Sequence, residues 1–216
     1  MTAARLLLAL SLTIAATSAN AVVSYTATAG TTSLQAVDTT ITFDLPLTQT
    51  YGLASYDSHA LIGAGDSSYA AQPPGTDPGF FSVGTTHGQQ SSSSVTFAAA
   101  GASYFGFYLG SPDSYNVVTL YSGQTELLSL NGTQMAAAFT SSLASDGNQA
   151  VGFYMNFFAG DLAPITKVTF SSNQDAFESD NHSYIAAAVP EADTYAMLLA
   201  GLALTGVMAR RRQRRA

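Results

Sequence analysis

Through the second half of this chain, apolar residues recur at every second position in short segments separated by small polar ones. Val95-Thr96-Phe97 alternates, and residues 104–109 form a dense aromatic segment. Val151, Phe153, Met155 and Phe157 fall on one side of an extended chain, with Tyr154, Asn156 and Phe158 on the other. Thr166, Val168 and Phe170 repeat the pattern. A period of two is the side-chain period of a strand, so each segment predicts a strand with one face toward a core. Phe105, Phe107, Phe153 and Phe157 are the leading core candidates. Residues 117–121 and 126–130 flank Ser122-Gly123-Gln124, a spacing that predicts a hairpin. No internal repeat occurs, and helical spacing is confined to a short stretch at 134–139. In residues 66–94 the apolar side chains are nearly confined to Phe80, Phe81 and Val83, while Pro73-Pro74-Gly75 and Asp77-Pro78-Gly79 supply turn chemistry. This stretch predicts a long surface excursion with one short strand at 80–83, the kind of segment that often holds a binding site.

Many short strands with glycine-rich turns define the expected fold class as all-β. The expectation is an antiparallel two-sheet sandwich, jelly-roll-like, flanked by an N-terminal signal helix and a C-terminal transmembrane helix. Composition agrees: Gly is abundant, and Cys and Trp are absent from the 216 residues. Without cysteine there is no disulfide and no thiolate metal site.

Charge changes the picture more. All but one of the seven basic residues lie at the ends: Arg5, then Arg210, Arg211, Arg212, Arg214 and Arg215. Between Val22 and Val189 twelve carboxylates face Lys167 alone, a net charge of −11 with histidine neutral. Such a surface repels phosphate backbones, so nucleic acid is not an expected partner.

The ends read as export signals. Arg5 precedes an apolar run at 6–16, and Ala19-Asn20-Ala21 fits the small-x-small pattern cut by signal peptidase. Residues 1–21 are therefore expected to be a signal peptide and 22–188 a β-sandwich ectodomain. Residues 189–216 have three parts: Val189-Pro190-Glu191, an apolar run at 195–209, and the arginine cluster at 210–215. Fifteen apolar residues extend about 22 Å as a helix, against a hydrocarbon core of roughly 30 Å. Snorkelling arginines and an interfacial Tyr195 make a marginal transmembrane run the expectation, with the arginines as a cytoplasmic anchor.

In its three-part order this tail resembles the PEP-CTERM sorting signal of Gram-negative bacteria. The matching residues are Val189, Pro190, Glu191, Thr194, Tyr195 and the Leu/Ala/Gly run through Gly201 and Gly206; Ala192 stands where the signal has its second proline. The resemblance implies recognition by an exosortase, a membrane-embedded cysteine transpeptidase. It also implies an inner-membrane-anchored precursor released to the cell surface or an exopolysaccharide matrix.

A second resemblance lies in the ectodomain. Phe105, Gly106, Tyr108, Gly110, Ser111, Asp113, Tyr115 and Asn116, followed by Ala176, Phe177, Glu178, Asp180 and Asn181, resemble a family of exosortase-dependent surface proteins. Relatives often carry Trp where Leu109 stands. That resemblance implies the sandwich and the destination, and no biochemical activity.

Candidate chemistry is sparse. His59, His87 and His182 are isolated, and no Gly-x-Ser-x-Gly, His-Glu-x-x-His or Walker-type sequence occurs, so no catalytic residue is assigned. Glu178, Asp180 and Asn181, with Asp175, are the densest hard-oxygen group and the candidate ligands of a structural calcium ion. The alternative is a hydrogen-bonded turn at Asp180-Asn181 with Glu178 solvated. Residues 110–116 read either as a sugar- or calcium-binding rim with Tyr115 as a stacking platform, or as a turn whose Asp113 and Asn116 satisfy backbone groups. The expected role is a non-enzymatic structural or adhesive surface protein needing no cofactor. A calcium-dependent glycan-binding module and a secreted polysaccharide-active hydrolase are the alternatives.

Overall fold

The computed structural model describes residues 23–44, 49–57, 61–62, 68–98, 100–139, 146–160, 163–188 and 192–213. The signal peptide, with Ala19 and Ala21, lies outside the described residues, as do Val189, Pro190, Glu191, Arg214, Arg215 and His59.

In the described residues the strands are β1 (Ser24–Thr28), β2 (Thr39–Ile41), β3 (Thr50–Tyr51), β4 (Ala54–Tyr56), β5 (Leu61–Ile62), β6 (Phe80–Val83), β7 (Ser92–Phe97), β8 (Ala102–Gly110), β9 (Asn116–Ser122), β10 (Thr125–Asn131), β11 (Gly152–Phe158), β12 (Lys167–Ser172) and β13 (Phe177–Ala186). Helix α1 (Gly132–Phe139) follows β10, and α2 (Ala192–Gln213) follows β13. One sheet runs β1-β11-β8-β13-β6-β5, with β2 also pairing β13; the other runs β10-β9-β12-β7-β4-β3. Every named strand pairing is antiparallel, as the alternating pattern requires.

The inner faces are the ones the alternation marks. Phe153, Met155 and Phe157 of β11 join Phe105 and Phe107 of β8 and Val168 and Phe170 of β12 in one core. Rings meet across the two sheets, with the Phe107 and Phe170 centroids 5.1 Å apart. Offset and edge-on aromatic contacts add to the burial that stabilises this layer. The β9–β10 hairpin closes through Gly123 at φ +57°, a glycine-first two-residue turn that suits strand twist.

Helix α1 begins two residues before the predicted stretch because Asn131 and Gln134 cap each other. The Gln134 N–H donates to Asn131 Oδ1 and the Asn131 N–H to Gln134 Oε1, both at 2.9 Å. This reciprocal box satisfies two otherwise orphaned donors. At Gly132 a β-carbon would run into the Asp113 carbonyl, so the helix can only start there with glycine.

Two expectations change. The excursion is more than a surface loop: Ala70 is buried, and all four residues of β6 are buried between neighbours. Its first part packs over the outer face of the β8–β13 region, where the Ala71 N–H reaches Glu178 and the Pro74 carbonyl accepts from the Tyr108 hydroxyl. The transmembrane helix is the second correction. A C-terminal helix forms, yet among the described residues no helix is long and apolar enough to cross a membrane. The apolar run is short, and Gly201, Thr205 and Gly206 dilute it.

Candidate functional site

The outer face of the large sheet is a buried polar layer. Tyr104 donates to Asn156 Oδ1 at 2.7 Å and also bonds the Ser33 hydroxyl at 2.7 Å. Tyr154 donates to the Asn181 carbonyl at 2.9 Å, and Asn181 Nδ2 donates to the Thr31 carbonyl at 3.0 Å. Burial leaves polar groups costly unless paired, and these phenols are paired. Burial also pushes the Tyr104, Tyr108 and Tyr154 hydroxyls further from ionisation.

Strand β13 sends its acidic residues into this layer and its histidine the other way. Opposite β8, Asp180 pairs with Tyr108 and Ser183 with Gly106, so β13 spends three residues where β8 spends two. The extra residue is a bulge at Asn181, whose φ is +49°. Before it, Glu178 and Asp180 face outward; after it, His182 faces the core.

His182 is 0 % exposed and stacks on Phe170 at 5.1 Å. Ser179 Oγ lies 2.9 Å from Nε2 and the Tyr56 hydroxyl 3.1 Å from Nδ1. Burial drives its pKa down to about 3. A serine and histidine in contact resemble a nucleophile–base pair, but both residues are fully buried. This histidine is a core residue with both nitrogens partnered. His87, by contrast, is exposed and stacks on Tyr69 at 4.5 Å.

Glu178 and Asp180, two of the proposed calcium ligands, lie in the buried layer. Glu178 is 2 % exposed; its Oε1 accepts from the Ala71 N–H at 2.8 Å, and its Oε2 is buried with no hydrogen-bond partner. Burial, reinforced by Asp113 and Asp175, pushes its pKa up to about 8 despite the bond from Ala71. Asp180 accepts from the Asn181 N–H at 2.6 Å, and burial pushes it up to about 7, with Asp44 and Asp77 nearby. Asn181 is committed to Thr31. Among the described residues no group of three or more His, Cys, Asp or Glu is placed to hold a metal ion. Nor is Glu178 the solvated member of a turn: it is buried inside a strand.

The 110–116 loop behaves as a turn. Asp113, 0 % exposed, accepts from Ser111 Oγ at 2.9 Å and from the Gly147 N–H at 2.5 Å. Asn116 Nδ2 donates to the Ala176 carbonyl at 3.2 Å, and Ser172 Oγ donates to Asn116 Oδ1 at 2.9 Å. The loop thereby fastens β9 and β12 to the start of β13. Tyr115 donates to the Asp175 carbonyl at 3.3 Å and is half-buried, so its hydroxyl is an anchor. Asp175 in turn accepts from the Thr85 N–H at 2.6 Å and the Thr86 N–H at 3.1 Å, and from the Thr86 hydroxyl. Partial burial opposes ionisation there, and these hydrogen bonds outweigh it, holding the carboxyl below its usual range.

Two concavities open at this end of the sandwich. A groove of about 430 Å³ is lined by Thr85, Ser92, Tyr115, Val117, Ser171 and Asn173, among others. A smaller pocket of about 190 Å³ lies between residues 68–71, Gln149 and the Asp175–Glu178 stretch. Sequence reasoning missed this pocket because its walls come from three distant segments.

The other functional feature is the tail. On α2 the side chains of Met197, Leu199, Leu202, Leu204, Val207 and Met208 are exposed, and Arg210, Arg211 and Arg212 occupy the last turn. Six large apolar residues exposed on one helix mark it for a membrane or a partner, and the arginines complement its C-terminal dipole. Fold and tail together define an all-β domain followed by a basic-ended sorting helix. Residues 188–213 match the PEP-CTERM protein-sorting motif. The motif supports exosortase-dependent sorting of an exported protein, and the structure gives it a helical body from Ala192. No curated protein and no solved structure showed a match to the chain. The match covers the tail only, so the ectodomain resemblance rests on its own motif residues.

Proposed function

We propose that the chain is a precursor whose sandwich is delivered to the cell surface or exopolysaccharide matrix of a Gram-negative bacterium, where it has a non-enzymatic structural or adhesive role. The observation that carries this reading is the exposed apolar helix ending in Arg210, Arg211 and Arg212, inside the matched motif. Signal peptidase cuts after Ala21. The helix then holds the precursor at the membrane through its exposed apolar side chains, with the arginines at its end favouring an anionic surface. A weak hold suits a chain meant to be released. Exosortase cleavage near Val189-Pro190-Glu191 completes the transfer.

The engagement of the candidate polar residues in packing supports the non-enzymatic part of this reading. Asp113 and Asn116 are spent on fastening strands, and His182 is sealed in the core. The proposed role needs no cofactor, and the acidic surface opposes nucleic acid. The test is fractionation of the native host. With exosortase present, the protein should leave the membrane fraction; with the exosortase gene deleted, a longer form should remain there. Equal release in both strains contradicts the reading.

A further inference from the structure

The Tyr115 groove lies at one end of the sandwich; at the opposite end the chain both enters and leaves the domain. Strand β1 starts at Ser24, opposite Phe158 of β11, and Phe158 faces Tyr104 near the start of β8. Strand β13 finishes at the same place: Ala186 faces Ala102, and the Ala187 N–H donates to the Gly101 carbonyl at 2.9 Å. The antiparallel order β1-β11-β8-β13 thus puts Val23 and Ala188 at one end. The nine residues of β8 separate it from the Tyr115 end by about 27 Å.

Both apolar segments of the sequence attach there. The run at 6–16 precedes Val23, and residues 189–191 alone separate Ala188 from the start of α2 at Ala192. Four Cα steps reach at most about 14 Å, half the length of β8. A membrane-held helix therefore keeps this end close by, and the Tyr115 end comes as close only if the sandwich lies on its side.

Surface chemistry separates the two postures. Ala100, Ser103, Ala159, Gly160, Pro164 and Ala186 line a cavity of about 650 Å³ in the end face, a wall of small uncharged side chains. Among the described residues of the sandwich the exposed large apolar side chains are Tyr25, on β1, and Leu34, 74 % exposed, in the connection from β1 to Asp38. Asp38 itself accepts from the Ala186 N–H at this end. Lys167, the only cation between Val22 and Val189, begins β12 here, over the Tyr121 ring at 4.1 Å and with Glu126 opposite that tyrosine. The outer face of the small sheet presents hydroxyls instead, with Thr119 bonded to Ser129 and Ser94 to Thr169. Apolar area gains from leaving water, whereas hydroxyls lose unless re-bonded.

We propose that the Ala100–Ala188 end face is the surface on which the precursor meets lipid headgroups, the sandwich standing upright with its Tyr115 end outward. The small-residue wall and Leu34 settle against the interface, and Lys167 adds one attraction to anionic lipid. Upright docking also brings the Ala188–Ala192 junction to the interface, the level at which a membrane-embedded sorting enzyme works. The assignment rests on the tail holding the precursor at the membrane and adds which face of the domain lies against it.

The sequence has no tryptophan, so single tryptophans report contact one position at a time. The experiment binds the full chain to vesicles of phosphatidylcholine and phosphatidylglycerol that carry a headgroup-nitroxide lipid, a quencher of nearby indoles. Ala98 and Gln124 are exposed in turns at the proposed membrane end, Ala150 is exposed at the opposite end, and Ser129 on the outer face of the small sheet. Ala98→Trp and Gln124→Trp should lose emission on binding vesicles, while Ala150→Trp and Ser129→Trp keep theirs; the paired probes cover a variant that fails to fold. Flotation with the vesicles separates the two readings. A chain that does not float overturns the membrane role of the tail and this orientation with it. A chain that floats with Ala150→Trp or Ser129→Trp quenched as strongly as Ala98→Trp and Gln124→Trp overturns the orientation alone. Floating without quenching at any position removes lipid as the occupant of this end and equally overturns it.

Discussion

Glu178 and His182 sit four residues apart on one strand, are almost wholly buried, and are both pushed toward their neutral forms by burial. His182 faces the core with a partner on each nitrogen; Glu178 faces the covered outer layer with one oxygen unmet. The contrast separates two uses of a buried polar group. Where every donor and acceptor is satisfied, the group specifies packing. Where one is left over, the group carries a cost that the rest of the fold must offset.

The largest effect expected is on the His182 side. Phe170 touches Phe81, Phe107, Phe177 and His182 at centroid distances of 4.9 to 5.3 Å. Phe170→Ala should cost about 3–5 kcal/mol, read as a lower urea midpoint at unchanged slope. A cost near zero would mean that the two sheets do not share this core.

A smaller effect distinguishes the two groups by pH. Glu178 rises from 4.5 to about 8 on folding, so the folded state binds more protons than the unfolded between those values. Its contribution is complete below pH 4.5 and is lost as the pH climbs through 8. Asp180, raised from 3.8 to about 7, acts in the same direction. His182 falls from 6.5 to about 3, so the unfolded state binds the extra proton, and stability is lost as the pH drops from 6.5 toward 3. Glu178→Gln should flatten the fall in stability that begins near pH 4.5 and runs up through 8, and leave the limb below pH 4.5 alone. At pH 8 it should be more stable than the native protein, because the amide has no charge to bury. His182→Phe should flatten only the acid limb. If Glu178→Gln shifts neither limb, its carboxyl is not buried as described.

What the sequence made legible follows the same division. The inner faces were readable because Phe153, Met155 and Phe157 alternate in a single strand. The outer face was not, since Tyr154 and Asn156 look like solvent-facing residues until loops around Thr31 and Pro74 cover them. Glu178 lies in an acidic, turn-like run, and its burial depends on Ala71, far away in the chain. The inward direction of His182 was illegible for a local reason: only the bulge at Asn181 moves it from the acidic face to the core. The tail was the most legible region, because its three parts are contiguous and need no tertiary contact. Even there, the apolar run and its flanking Tyr195 and arginines suggested a marginal span, and no described helix is long and apolar enough for one.

The account stands on the tail being a signal that the finished protein no longer carries. Intact-mass measurement of protein released from the native host tests this directly. The account predicts a species beginning at Val22 and lacking the arginines from Arg210 to Arg215. A released chain that still ends at Ala216 would contradict it.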